Sequence, residues 1–153
     1  MLFLLYYGLP IVFGVDTVAW LSGVIALGMY SGAYSSQIIR GAIQSIDRGQ
    51  MEAGRSLGFS YAQTMWKIII PQAIYRMLAP MTNEFISLTK NSSLLSTITV
   101  VELFRQANIL IADTYRTMEF LIAVAVLYYV LNNVIGYVGI RMEQRFKTGG
   151  ELQ

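Results

Sequence analysis

GQMEAGRSLGFSYAQTMWKIIIPQA, residues 49–73, is a polar segment set between apolar runs long enough to cross a bilayer. It carries Glu52-Ala53-Gly54, a second glycine at Gly58, and Ile68-Ile69-Ile70-Pro71 at its end. Its local chemistry predicts two short helices joined by a hinge. Gly58 suits the left-handed residue that ends the first helix. Ser60 and Gln63 form a Ser-x-x-Gln capping box that starts the second. Pro71 fits the first turn of the helix that follows and would not fit the middle of one. Two helices crossing at a glycine make a compact knob. Glu52, Arg55 and Gln63 are available on its surface, and such a knob can fit a cleft on another protein. An amphipathic hairpin lying on the bilayer surface satisfies the same local physics. It makes no demand, however, for Glu-Ala at one distance from Gly and Pro. Glu52 can also act simply as a first-turn acid favoured by the helix dipole.

Working outward, the chain is 55% hydrophobic and only 13% charged, where a soluble domain carries about 25% charged residues. With neither cysteine nor histidine, it offers no disulfide, no thiolate site and no imidazole ligand or base. No metal site and no cofactor is expected. A net charge of +2 is too small to suggest nucleic acid. Residues 17–39 and 120–140 are uncharged runs of 23 and 21 residues, each sufficient for the ~20 residues that a spanning helix needs. Met1 to Val15 is uncharged but short. It lacks a basic start and a small-residue cleavage site, so it reads as the far end of a spanning helix closed by a turn at Gly8-Leu9-Pro10. Residues 147–153 read as a frayed tail.

Lys and Arg orient the chain. Arg40, Arg48, Arg55, Lys67, Arg76, Arg141, Arg145 and Lys147 lie on one side, and Lys90, Arg105 and Arg116 on the other. This eight-to-three bias places the 49–73 segment and the C-terminus in the cytoplasm. The loop at residues 10–16 and the stretch from about Asn91 to Thr117 are then external.

The spacing of Glu52-Ala53-Gly54, Gly58 and Ile68 to Pro71 resembles the EAA loop of ABC-transporter permease subunits, which docks on the ATPase. Gly54 stands where that family has a second Ala, and Ile70 where it has Leu. Tyr30-Ser31-Gly32-Ala33-Tyr34, residues 39–43 (IRGAI), 83–88 (NEFISL) and 92–96 (SSLLS), Val101-Glu102-Leu103 and Arg105-Gln106-Ala107 are similar to the importers of polar amino acids. The likeness runs from about Leu2 to Phe146.

This resemblance implies an all-α polytopic transmembrane bundle of the type I importer kind. Residues 1–153 would form a single transmembrane permease domain with a cytoplasmic coupling loop at about 45–75. It implies ATPase coupling through Glu52, Ala53, Gly54, Arg55, Gly58, Gln63 and Pro71. The partners implied are ABC ATPase subunits, a second permease subunit, an extracytoplasmic amino-acid-binding protein and the lipid bilayer of a prokaryotic inner or plasma membrane. Related permeases carry further helices upstream. Met1 lies only about 10 Å along the helix from Gly8 at ~1.5 Å per residue, so the expectation is the C-terminal part of a longer permease.

After the loop, Glu84, Ser87 and Asn91 fall three and four residues apart and share a helical face, with Asn83, Ser87 and Lys90 on a neighbouring one. A zwitterionic amino acid needs an acceptor for its ammonium and donors for its carboxylate. Glu84 can supply the first, and Ser87, Lys90 and Asn91 the second, as transporters do near the midplane. Alternatively, Glu84 pairs with Lys90 or a neighbouring helix and ties the bundle together. Thr89 and Asn91 depart from the Leu and Asp of the amino-acid branch.

The chain has no Gly-x-x-x-x-Gly-Lys-Ser/Thr sequence to cradle ATP phosphates. It is read as a non-enzymatic transport subunit, with hydrolysis on a separate ATPase. The rivals are an intramembrane enzyme, a small ion-gradient-driven carrier or channel, and a truncated, nonfunctional remnant. The first lacks histidine, cysteine and paired carboxylates. Gly23, Gly28 and Gly32 are expected to admit another helix closely, and Asn132 and Asn133 to bond between helices.

Overall fold

The computed structural model describes residues 1–14 and 16–150. All regular structure among them is helical. A π turn, Leu4–Gly8, leads into α1, Leu9–Phe13. Then come α2, Ala19–Gln44, α3, Arg48–Ser56, and α4, Tyr61–Thr64. A second π turn, Met65–Ile69, leads into α5, Ile70–Asn91. A 3₁₀ segment, Ser92–Ile98, precedes α6, Leu103–Thr114, and α7, Thr117–Gly150. The tail expected to fray from Lys147 is helical as far as Gly150, and residues 151–153 lie outside the described residues.

The chain divides into two units, Met1–Gly32 with Phe85–Ile135 and Ala33–Glu84 with Gly136–Gln153. In the first, Ile98 is fully buried. A Cβ on Gly23 would lie 2.7 Å from Leu95 Cδ2, so the missing side chain admits the 3₁₀ segment against α2. Gly28 and Gly32, expected to do the same, have nothing within 4 Å of where a Cβ would be. Glu102 caps α6, its carboxylate accepting from the amides of Phe104 at 2.7 Å and Arg105 at 2.6 Å. Tyr128 OH donates to the same carboxylate at 3.2 Å. The expected external stretch thus contains a helix, because a carboxylate satisfies the orphan amides of its first turn. Asn133 bonds within its own helix, Nδ2 donating to Tyr129 O at 2.7 Å, and not across helices as expected. A backbone carbonyl one turn back is always within reach of a short amide side chain.

The second unit centres on Ala42, Ile46, Ile69 and Ala73, with Ile43, Met51, Met65 and Met77 packed around them. Burying each isoleucine contributes about 1.5–3 kcal/mol. The alanines let the backbones approach.

One proline position differs from expectation. The first helix does not close at Gly8-Leu9-Pro10. It continues to Phe13 and ends at Gly14, whose φ is +64°. Pro71 lies in the first turn of α5, as expected. It lies within one helical path from Tyr61 through the π turn into α5. The same device operates at both places: a five-residue π turn ends two residues before the proline. Proline has no N–H to give, and in an α-helix its ring strikes the carbonyl four residues back. Winding the preceding turn wider relieves both problems.

By length and composition, residues 117–145 of α7 can cross a membrane. The bent pair Tyr61–Ile98 and Leu103–Thr114, meeting at 48°, can supply a second span. Most of the uncharged run at 17–39 lies in α2, a 26-residue helix that continues past Arg40, yet it is less apolar than such a span because Ser, Gly and Tyr interrupt it. Small residues of this kind suit contact with other helices better than contact with lipid.

Candidate functional site: a helical knob at residues 47–73

Asp47 opens the knob as the N-cap of α3, with Oδ1 accepting from the Gly49 amide at 2.6 Å. Asp47, not Glu52, occupies the N-terminal position of this helix. No acid lies in the first turn of α3, so the first-turn dipole role expected as an alternative for Glu52 does not apply.

Gly58 closes α3 with φ +85°. The Gly58 amide donates to Arg55 O at 3.0 Å and the Phe59 amide to Gly54 O at 3.2 Å. These are the two bonds of a Schellman motif, which a left-handed glycine makes possible. The capping box forms as expected. Ser60 N donates to Gln63 Oε1 at 2.8 Å, and Gln63 N to Ser60 Oγ at 3.3 Å. Gln63 is exposed, but its carbonyl oxygen is already committed to that cap.

Gly54 is buried between the two arms. A Cβ there would lie 2.5 Å from Thr64 Cγ2, 2.9 Å from its Oγ1 and 3.1 Å from Ile68 Cδ1. Thr64 has no solvent exposure, and its hydroxyl donates to Ser60 O at 3.1 Å. Gly54 is therefore the complement of Thr64. Gly54→Ala is expected to destabilise the assembled protein by about 1–3 kcal/mol through overpacking. Adding Thr64→Ala should recover much of the loss. Thermal unfolding of both single variants and the double variant checks this, and strictly additive losses would refute the contact.

Two polar rungs tie the knob's base. Arg76 NH1 donates to Ser45 O and, at 3.0 Å, to Ser45 Oγ, so a guanidinium covers the carbonyl end of α2. Gln72 Nε2 donates to Gln50 Oε1 at 3.2 Å.

Glu52, Ala53 and Arg55 are exposed on α3, and Pro71 is exposed at the base. Leu57, Tyr61 and Trp66 are also exposed, Leu57 by 76% and Trp66 by 71%. Sequence reasoning passed over these three, although large apolar side chains in an otherwise polar loop were the available signal. Lys67 sits 5.4 Å from the Phe59 ring centroid, a cation–π contact.

The second set of candidate residues lies on α5. Glu84 closes one unit, and Ser87, Lys90 and Asn91 belong to the other. Glu84 Oε1 is buried without a hydrogen-bond partner. Lys90 is exposed, while Ser87 and Asn91 are half-buried. The salt bridge found among the described residues, Arg116–Glu119 at 3.5 Å, involves none of them. No group of three or more His, Cys, Asp or Glu gathers to hold a metal among the described residues.

Comparison with known proteins adds a family. A family model described as a binding-protein-dependent transport system inner membrane component matches residues 1–147. The chain is 38% identical over 148 residues to the probable glutamine ABC transporter permease protein GlnM of Bacillus subtilis (strain 168), covering 94% of this chain and 68% of that protein. It is 36% identical over 147 residues to the arginine transport system permease protein ArtQ of the same organism, covering 96% and 67%. Against the glutamine transport system permease protein GlnP of Escherichia coli (strain K12) it is 38% identical over 144 residues, covering 94% and 66%. The chain thus spans about two thirds of the length of these relatives. Among solved structures, an amino acid ABC transporter crystallised with histidines superposes with a TM-score of 0.88 at 42% identity. That match covers 94% of this chain and 67% of the other.

Proposed function

Because this chain belongs to the family of inner membrane components of binding-protein-dependent transport systems, we propose that it forms part of the translocation path of an ATP-driven importer for a polar amino acid. The observation that carries the reading is the knob at 47–73. It is a helix pair braced by Gly54 against Thr64 and capped at Gly58 and Ser60, and it presents Glu52, Arg55, Leu57, Tyr61 and Trp66 outward. An exposed apolar set rimmed by charge is the composition of a docking surface. Its partner is a separate ABC ATPase subunit, which supplies the hydrolysis this chain does not perform. A second permease subunit and an extracytoplasmic binding protein complete the machine. ATP binding closes the ATPases and moves the knobs, turning the cavity outward, and hydrolysis resets it. Glu84, with Ser87, Lys90 and Asn91, contacts the substrate.

The Lys/Arg bias supports a cytoplasmic knob and C-terminus. One experiment tests function and orientation together. The complete subunit is reconstituted in vesicles with the ATPase on one face and the binding protein on the other. Amino-acid movement should require ATP on the ATPase face and should vanish without the ATPase. Movement driven by an ion gradient alone would overturn the importer reading. Full activity with both partners on the same face would overturn the orientation.

A further inference from the structure

We infer that the last turns of α7 form a binding site for the phosphate headgroup of an anionic phospholipid. Only 6% of the most apolar window of the span at 117–145 is buried within the chain, so its flanks are covered by something else. At the C-terminal end of that span lies an open surface depression lined by Tyr137, Val138, Arg141, Met142, Gln144 and Arg145. Arg141 and Arg145 stand four residues apart and therefore share a face. Tyr137 stands one turn before Arg141 on that face. Its ring centroid lies 5.0 Å from the Arg141 guanidinium carbon, which orients the planar donor fork. Neither arginine forms an ion pair among the described residues. Glu143, two residues from each, points off this face.

The chemistry selects one ligand. Two guanidinium groups one turn apart suit a phosphate, which they can bind bidentately. Val138 and Met142, about half exposed, extend the site along the apolar part of the helix, where a glycerol backbone and the first acyl carbons would lie. A free phosphate would use the arginines and leave that apolar wall uncovered. An anionic lipid uses both. This inference rests on membership of a membrane family and not on the transport reading, so either can fail without the other.

The test uses the assembled transporter containing the complete subunit in neutral detergent. Phosphatidylglycerol, phosphatidylcholine and inorganic phosphate are added separately. Retained lipid is read by native mass spectrometry and stability by the thermal midpoint. Phosphatidylglycerol should be retained and raise the midpoint, while the other two should do neither. Arg141→Gln with Arg145→Gln should cut retention roughly 30-fold, from about 1 kcal/mol of surface attraction per arginine. If that double variant fails to assemble, Arg141→Lys with Arg145→Lys keeps the charge. It should hold the lipid in dilute salt and release it as salt rises. Equal retention of phosphatidylcholine would reduce the site to an apolar flank. A midpoint shift with phosphate alone would make it a free-anion site. Undiminished phosphatidylglycerol binding by the glutamine pair, or loss of the charge-preserved pair's binding in dilute salt, would also overturn the inference. Loss of ATPase association by the glutamine pair in lipid-free detergent would assign the arginines to a protein surface instead.

Discussion

Glu52→Lys, made in the complete subunit, is expected to abolish coupled transport while leaving membrane insertion and the α3–α4 knob intact. Glu52 is exposed on α3, past its first turn, and it is not the residue that caps the helix. Its side chain therefore has little to do for the fold. Reversing its charge leaves the Gly54–Thr64 contact and both caps untouched. At a docking surface, however, like-charge juxtaposition costs several kcal/mol. The expected loss of substrate-stimulated ATPase activity is on the order of 100-fold, since each 1.4 kcal/mol is tenfold. An unchanged thermal midpoint should accompany it. Wild-type substrate-stimulated ATPase activity in reconstituted Glu52→Lys complexes would sink the docking role.

Glu84→Gln carries the second large effect. Glu84 Oε1 is buried and without a hydrogen-bond partner, in a helical path that can enter the membrane. A carboxylate left with an unsatisfied buried oxygen is costly, and Glu84 as a whole is half-buried, so a partner from outside the chain is expected at its accessible part. We propose that the partner is the substrate ammonium. Glutamine keeps the shape and removes the charge. A lost charge-assisted hydrogen bond of about 1.5–3 kcal/mol lowers uptake roughly 10- to 100-fold, while basal ATPase activity and assembly stay near normal. If Glu84 instead tied helices together, the same variant would lower the thermal midpoint and reduce all activities in step. Unimpaired uptake would eliminate the ammonium role.

Much of the knob could be read directly from the chain because its determinants are local. A left-handed Gly58 and a Ser60–Gln63 box depend on neighbours within a few residues, and both formed where the spacing put them. The helical class and the α7 span were equally legible, since apolar length alone decides whether a segment can cross a bilayer. The helix end beside Pro10 and the π turns before both prolines were not. A proline announces that a turn must change, but not whether the path breaks or widens into a π turn. Here Ile69, the last residue of the second turn, is buried against Ala42 and Ile46. The α6 cap at Glu102 went unread, and the hydrogen bond it accepts from Tyr128 joins residues 26 positions apart.

The sequence by itself determined the family, through its likeness to known permeases, and the caps of the polar loop, which follow from spacing and backbone sterics. Only the tertiary structure decided why Gly54 replaces alanine, which residues of the loop face outward, and that Glu84 holds an orphaned oxygen. Each of those depends on what packs against a side chain across the fold, and no periodicity along the chain encodes it.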